Sequence, residues 1–172
     1  MELVLVTGAS GFLASHIIKQ LLDEGYRVRG TVRNLKDEKK CAPLKLLASE
    51  NSKHALELCE ADLMNEETWL QAVKECTHVV HVASPVPNYV PKDENEVIKP
   101  AVNGTLFVLK ACVQTDSRVK HVVLTSSVAA VDGDDFHTGK VYTENDFSQA
   151  NVSQPYTKRY FFNLLFFLDK LL

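Results

Sequence analysis

The 172-residue sequence has no CxxC pair, no long basic run and no apolar stretch of membrane-spanning length. Its cysteines, Cys41, Cys59, Cys76 and Cys112, are widely spaced. Met1 to Val6 has neither the basic residues nor the apolar length of a secretory signal. Reduced thiols in a cytoplasmic protein are therefore expected. The sequons at Asn103 and Asn151 are then chance matches. The six histidines show no metal-ligand spacing. His78 and His81, three apart in a strand-like run, would point to opposite faces, so no metal site is expected. Glycine and proline number only 7 and 6, which excludes collagen-like and low-complexity classes. With 19 Lys+Arg against 22 Asp+Glu the net charge is −3, a poor match to nucleic acid. The 45% hydrophobic and 24% charged content is that of a folded globular chain rather than a disordered one. Its length supports one domain of about 150 residues.

What is present is an alternation of short apolar runs and amphipathic stretches. Leu3–Thr7, Val28–Val32, Ala55–Glu60, His78–Ala83 and Lys120–Thr125 read as strands. Helices are expected over Gly11–Glu24, Asp37–Ser49, Glu66–Glu75 and Glu94–Thr115. The last carries the stripe Ile98, Val102, Leu106, Leu109 and Val113, with Pro100 as a kink. A loop over Val128–Ala150 leads to a final helix, with Ser153 as cap and Pro155 in its first turn. Five strands alternating with helices predict an α/β fold with a doubly wound parallel sheet, covered on both faces.

Thr7 to Ala14 reads TGASGFLA, a GxxGxxA pattern between the first strand and first helix. Gly8 suits a tight turn, Gly11 a close approach of backbone to a pyrophosphate, and Ala14 close helix–strand packing. The alternative is a bare structural turn. Where an acidic residue would bind the ribose of NAD, the sequence has Arg33, with Lys36, Lys39 and Lys40 following. Arg33 suits a 2′-phosphate and hence NADP(H) over NAD(H). With Asp37 and Glu38 interleaved, the stretch also reads as a solvated basic face. Asp62 after the third strand suits an adenine amino group, or simply a turn. Val82-Ala83-Ser84-Pro85 ends the fourth strand with small residues, and Thr125-Ser126-Ser127 ends the fifth with hydroxyls. Those hydroxyls either face a ligand crevice or form a Ser–Thr turn.

In combination, VTGASGFLASHI (6–17), TVRN (31–34), ADL (61–63), HVASP (81–85), IKPAVNGTLFVLKAC (98–112), VVLTSS (122–127) and QPYTK (154–158) resemble the extended short-chain dehydrogenase/reductase family. They look most like its dihydroflavonol 4-reductase and cinnamoyl-CoA reductase branch, with the resemblance running from about residue 2 to 158. The resemblance implies a Rossmann fold, an NADP(H) cofactor, and a small-molecule carbonyl or alcohol substrate. It implies Ser127 (with Ser126 a weaker candidate) as the serine that polarises the carbonyl, and Tyr156 as general acid. It implies cofactor contacts at Gly8, Ser10, Gly11, Phe12, Leu13, Arg33, Lys40, Asp62, Leu63, Val82, Ala83, Ser84 and Ser126. An NAD-dependent epimerase or dehydratase would use the same cradle.

The sequence departs from that family at two places. A lysine four residues past the tyrosine normally favours the phenolate. Here that position is Tyr160. Lys158 lies about 200° round the helix from Tyr156, and Arg159, about 60° away, stays protonated. The chain also stops about midway through the family's length, without the expected sixth strand and substrate lobe. This divides it into a dinucleotide-binding domain over 1–158 and an atypical tail over 159–172. Ten of the thirteen residues from Tyr160 to Leu172 are apolar. The tail is too short to span a bilayer, which takes about 20 residues. Self-association through this segment, as in a homodimer, is expected. A cofactor-binding protein without turnover is the alternative to an active enzyme.

Overall fold

A computed structural model describes residues 2–48, 50, 52–85, 92–93, 95–114, 116–127, 131, 139–143 and 145–146. The order of elements is β1 (Leu3–Val6), α1 (Phe12–Asp23), β2 (Arg27–Val32), α2 (Glu38–Lys45), β3 (Glu57–Glu60), α3 (Glu67–Val73), β4 (His78–His81), α4 (Asn95–Cys112) and β5 (His121–Leu124). The strands form one parallel sheet in the order β3-β2-β1-β4-β5. This is the doubly wound α/β arrangement expected from the sequence.

Side-chain alternation in the central strands explains the two layers. Leu3 and Leu5 of β1 join Val79 of β4 on one face, packed with Trp69, Ala72 and Val73 of α3 and Val108, Ala111 and Cys112 of α4. Val4 and Val6 join Val28 and Val32 of β2 on the other, packed with Ala14, Ile18 and Leu22 of α1 and Cys41 and Leu44 of α2. The winding reverses between β1 and β4. Connections leaving their carboxyl ends therefore lead to opposite faces and open a crevice between them.

Several elements are shorter than the sequence pattern predicts. β3 begins at Glu57, where its ladder with Arg29 of β2 begins. α2 ends at Lys45, two residues past Pro43, as Leu46 and Leu47 donate to the carbonyls of Pro43 and Leu44 in a tightened last turn. α3 ends at Val73, because Lys74 is extended and Glu75 adopts φ 66. Arg29 Nη1 takes up the carbonyls of Ala72 and Lys74 there, at 3.0 and 2.7 Å. β4 stops at His81, leaving Val82 and Ala83 outside the strand. The final helix predicted from Ser153 lies outside the described residues, as does the boundary between 158 and 159.

The chain divides into two compact units, Met1–Ser84 with Asn103–Thr125, and Pro85–Val102 with Ser126–Leu172. The first holds the whole sheet. In the second, the Asp93 carboxylate accepts the Asn95 N–H at 2.9 Å, and Val97 and Ala101 are buried. Lys140 pairs with Asp146 and stands over the Tyr142 ring at 4.6 Å.

Candidate functional site

Among the described residues, four polar side chains are fully buried: Thr7, Thr31, His81 and Thr105. All four lie around the carboxyl end of β1. Burying a polar group is costly unless it is hydrogen-bonded; here Thr7 and Thr31 hold connecting segments in place, and His81 lies between Thr7 and Thr105. From β2, the Thr31 hydroxyl accepts the Gly8 N–H at 2.9 Å, and the Thr31 carbonyl accepts the Ala9 N–H at 2.8 Å. On the β4 side, Thr7 N–H donates to Val80 O at 3.0 Å. Thr7 Oγ1 accepts the N–H groups of both Val82 and Ala83 at 2.9 Å. The turn after β1 is thus fastened to both neighbouring strands.

Those two N–H groups occupy the lone pairs of Thr7 Oγ1, so its single proton must go to His81 Nδ1, 2.8 Å away. This assigns the His81 proton to Nε2, which faces Thr105 Oγ1 at 3.4 Å. The ring is neutral: burial pushes its pKa down to about 4.

The turn itself needs glycine at its first position. Gly8 has φ +69, and a Cβ there would lie 3.1 Å from Ala83 Cβ and 3.2 Å from Ala83 Cα. Gly11 N–H closes the turn onto Gly8 O at 2.9 Å, and Gly11 is the N-cap of α1. No side chain caps that helix, and its first turn has no acidic residue. Its leading N–H groups and positive dipole end are therefore left without competition from a carboxylate of the first turn. Ser10, Gly11, Phe12 and Leu13 are exposed there, Phe12 at 84%.

The other expected residues follow the same edge of the sheet. Arg33 directly follows β2 and is exposed; no described residue forms an ion pair with it. Lys40, by contrast, is paired with Asp37 at 3.4 Å. Asp62 follows β3 and makes a turn, its Oδ1 accepting the Met64 N–H at 2.8 Å, while Trp69 Nε1 donates to its carbonyl at 3.0 Å. Leu63 packs on α4, where a Cβ on Gly104 would come within 2.8 Å of Leu63 Cβ. Val82, Ala83 and Ser84 follow β4. Gly8 to Leu13, Arg33, Asp62, Leu63 and Val82 to Ser84 therefore all follow carboxyl ends of strands β1 to β4 within the first unit. Ser126, exposed, and Ser127, half-buried, belong to the second unit, and Tyr156 lies outside the described residues.

Sequence reasoning missed Thr7, Thr31, His81, Thr105 and Gly104 as parts of the site. A hydroxyl residue at the end of an apolar strand, just before a glycine turn, is the one local signal that could have flagged Thr7. All four thiols are free, and burial pushes Cys76 up to about 12 and Cys112 up to about 11. No helix among the described residues is long and apolar enough to cross a membrane.

Residues 4–165 match the NAD dependent epimerase/dehydratase family. The chain is 50% identical over 128 residues to tetraketide alpha-pyrone reductase 1 of Arabidopsis thaliana, covering 74% of this chain and 38% of that protein. It is 45% identical over 147 residues to dihydroflavonol 4-reductase of the same plant, covering 86% and 37%. The solved structure of Gre2 in complex with NADPH from Candida albicans superposes with a TM-score of 0.80 at 28% identity, covering 99% of this chain and 53% of that one. The chain thus spans under two fifths of the length of these curated relatives.

Proposed function

We propose, on the premise that the chain belongs to the NAD dependent epimerase/dehydratase family, that it binds NADP(H) along the carboxyl edge of its sheet and serves a carbonyl reduction or its reverse. The observation that carries this reading is the turn after β1, fastened from both sides beside an uncapped helix N-terminus. A pyrophosphate fits that arrangement. Gly8 keeps the wall of the cradle free of side chain, and the leading N–H groups of α1 lie open to the phosphates. The family's cofactor is a nicotinamide dinucleotide, which supplies or accepts the hydride when bound.

Each residue has a distinct task in this proposal. Arg33, exposed and without an ion-pair partner among the described residues, takes the 2′-phosphate with a forked contact. Asp62 has one carboxylate oxygen in its own turn and offers the other to the adenine amino group. Val82 and Ala83, held by Thr7, present backbone to the ribose and nicotinamide. Ser127, with Ser126 as second candidate, donates to the substrate oxygen, and Tyr156 moves the proton on that oxygen. Arg33 favours a reductase over an epimerase that retains NAD.

A second reading, cofactor binding without turnover, is favoured by one observation. Tyr160 stands where a lysine would hold the Tyr156 phenol near its working range. Loss of general acid–base help costs on the order of 10²–10⁴ in rate. The two readings separate in one assay of NADPH consumption with a panel of aldehydes and ketones. Binding without consumption supports the second reading. Robust consumption abolished by Tyr156→Phe supports the first and shows that another group replaces the lysine.

A further inference from the structure

The segment that carries Arg33 is anchored on both sides. Before it, Val32 pairs with Glu60, the last residue of β3, and the Val32 carbonyl accepts the Ala61 N–H at 3.0 Å. After it, the Glu60 side chain reaches over from β3, and its Oε1 accepts the Leu35 N–H at 2.8 Å. Asn34 tightens the same loop. Its Oδ1 accepts the Lys36 N–H at 2.8 Å, and its carbonyl accepts the Asp37 N–H at 3.2 Å. The Cys41 thiol donates to that carbonyl at 3.7 Å. Arg33 thus sits between a residue fixed by the sheet and a residue fixed by Glu60.

We propose that Glu60 is a positioning residue for cofactor selection. It holds the β2–α2 loop so that Arg33 is presented to the 2′-phosphate. The inference rests on the reading of Arg33 given above. By charge alone a carboxylate beside a phosphate site is unfavourable. Two effects set the balance. The hydrogen bond from Leu35 N–H is charge-assisted and local, whereas repulsion between exposed charges is weakened by the high dielectric of the surrounding water. Holding the loop also avoids ordering it when the cofactor arrives, which otherwise subtracts from affinity. The 2′-phosphate is what distinguishes the two dinucleotides, so Glu60 acts on NADPH and not on NADH.

Two substitutions separate position from charge. Glu60→Gln keeps an oxygen acceptor for Leu35 N–H and removes the charge, while Glu60→Ala removes both. The experiment is a fluorescence titration of the parent chain, both variants and Arg33→Ala with NADPH and with NADH. Thermal melting of each protein and amide exchange at Leu35 accompany it. In Glu60→Ala the NADPH-to-NADH affinity ratio should fall roughly fivefold, less than the full worth of a hydrogen bond to a charged group because the Asn34 bonds still hold part of the loop. NADH affinity should be unchanged, melting lowered by no more than a few degrees, and exchange at Leu35 faster. Glu60→Gln should restore the ratio. A ratio unchanged in Glu60→Ala, equal weakening of both cofactors, or tighter NADPH binding in both variants overturns the inference. If Arg33→Ala erases a preference that Glu60→Ala leaves intact, the inference alone falls. If the parent chain has no preference, the Arg33 reading falls and takes the inference with it.

Discussion

His81 shows how a single buried side chain can support a turn that it does not itself bond. Its neutral ring receives the Thr7 proton, which frees Thr7 Oγ1 to hold Val82 and Ala83. Protonation of Nδ1 would put a donor against a donor. Folding lowers the His81 pKa from an ordinary 6.5 to about 4 through burial. As pH falls, the unfolded chain therefore takes the proton first. The stabilisation is fully present above about 6.5 and is lost as pH falls towards 4, about 2 kcal/mol of it by pH 5. Urea unfolding at pH 7 and pH 5 should show that loss, and His81→Gln should flatten it. A parent chain equally stable at both values would contradict the assignment. None of this was legible in the sequence. Thr7 and His81 are 74 residues apart, and the histidine spacing spoke only to metal binding. The local pattern did place Gly8 and Gly11 correctly on a strand–turn–helix junction, because a glycine turn between an apolar strand and an amphipathic helix is encoded by neighbours.

At the scale of elements, the apolar runs located all five strands, while the ends of elements depended on distant partners. α3 stops where Arg29, from β2, collects its terminal carbonyls. The same arginine, with Arg27, binds Glu57 across the β2–β3 pair. Burial alone would raise the Glu57 carboxyl, but the bonds from Arg27 and Arg29 outweigh it and hold it below its usual range. That contribution is lost only in stronger acid, as pH falls below the ordinary carboxylate value, so it leaves the His81 window clear. Gly104 is the element-scale feature most easily misread. In sequence it belongs to a sequon; in the fold it is where α4 meets the Leu63 side chain, with 2.8 Å left for a Cβ beside Leu63 Cβ. Leu63 adjoins Asp62, so Gly104→Ala should push this loop off the helix. A cost of about 1–3 kcal/mol is expected, as for overpacking, together with weaker dinucleotide binding. A double-mutant cycle with Leu63→Gly, which removes both the Cβ and the atoms beyond it, should recover part of both. Additive losses would show that the contact is not the cause.

For the whole molecule, one strand edge and one stretch of sequence bear on association. Among the described residues β5 is an edge strand of the sheet, with Val123 59% exposed, and the sequence from Tyr160 to Leu172, outside the described residues, is apolar in ten of thirteen positions. Exposed edges and apolar segments favour association. Deleting Phe161 to Leu172 should therefore reduce self-association in light scattering. A monodisperse monomer at high concentration before the deletion would contradict this. The proposed roles of Gly8, Arg33 and Asp62 converge on cofactor selection along the carboxyl edge of the sheet. Calorimetric titration of the 172-residue chain with NADPH and with NADH, at one ionic strength, decides the matter. We predict saturable binding at one site, with NADPH tighter by roughly tenfold or more, as a charge-assisted contact to the 2′-phosphate requires, and with most of that margin lost in Arg33→Ala. Equal affinities for the two cofactors, or no saturable binding of either, would contradict it.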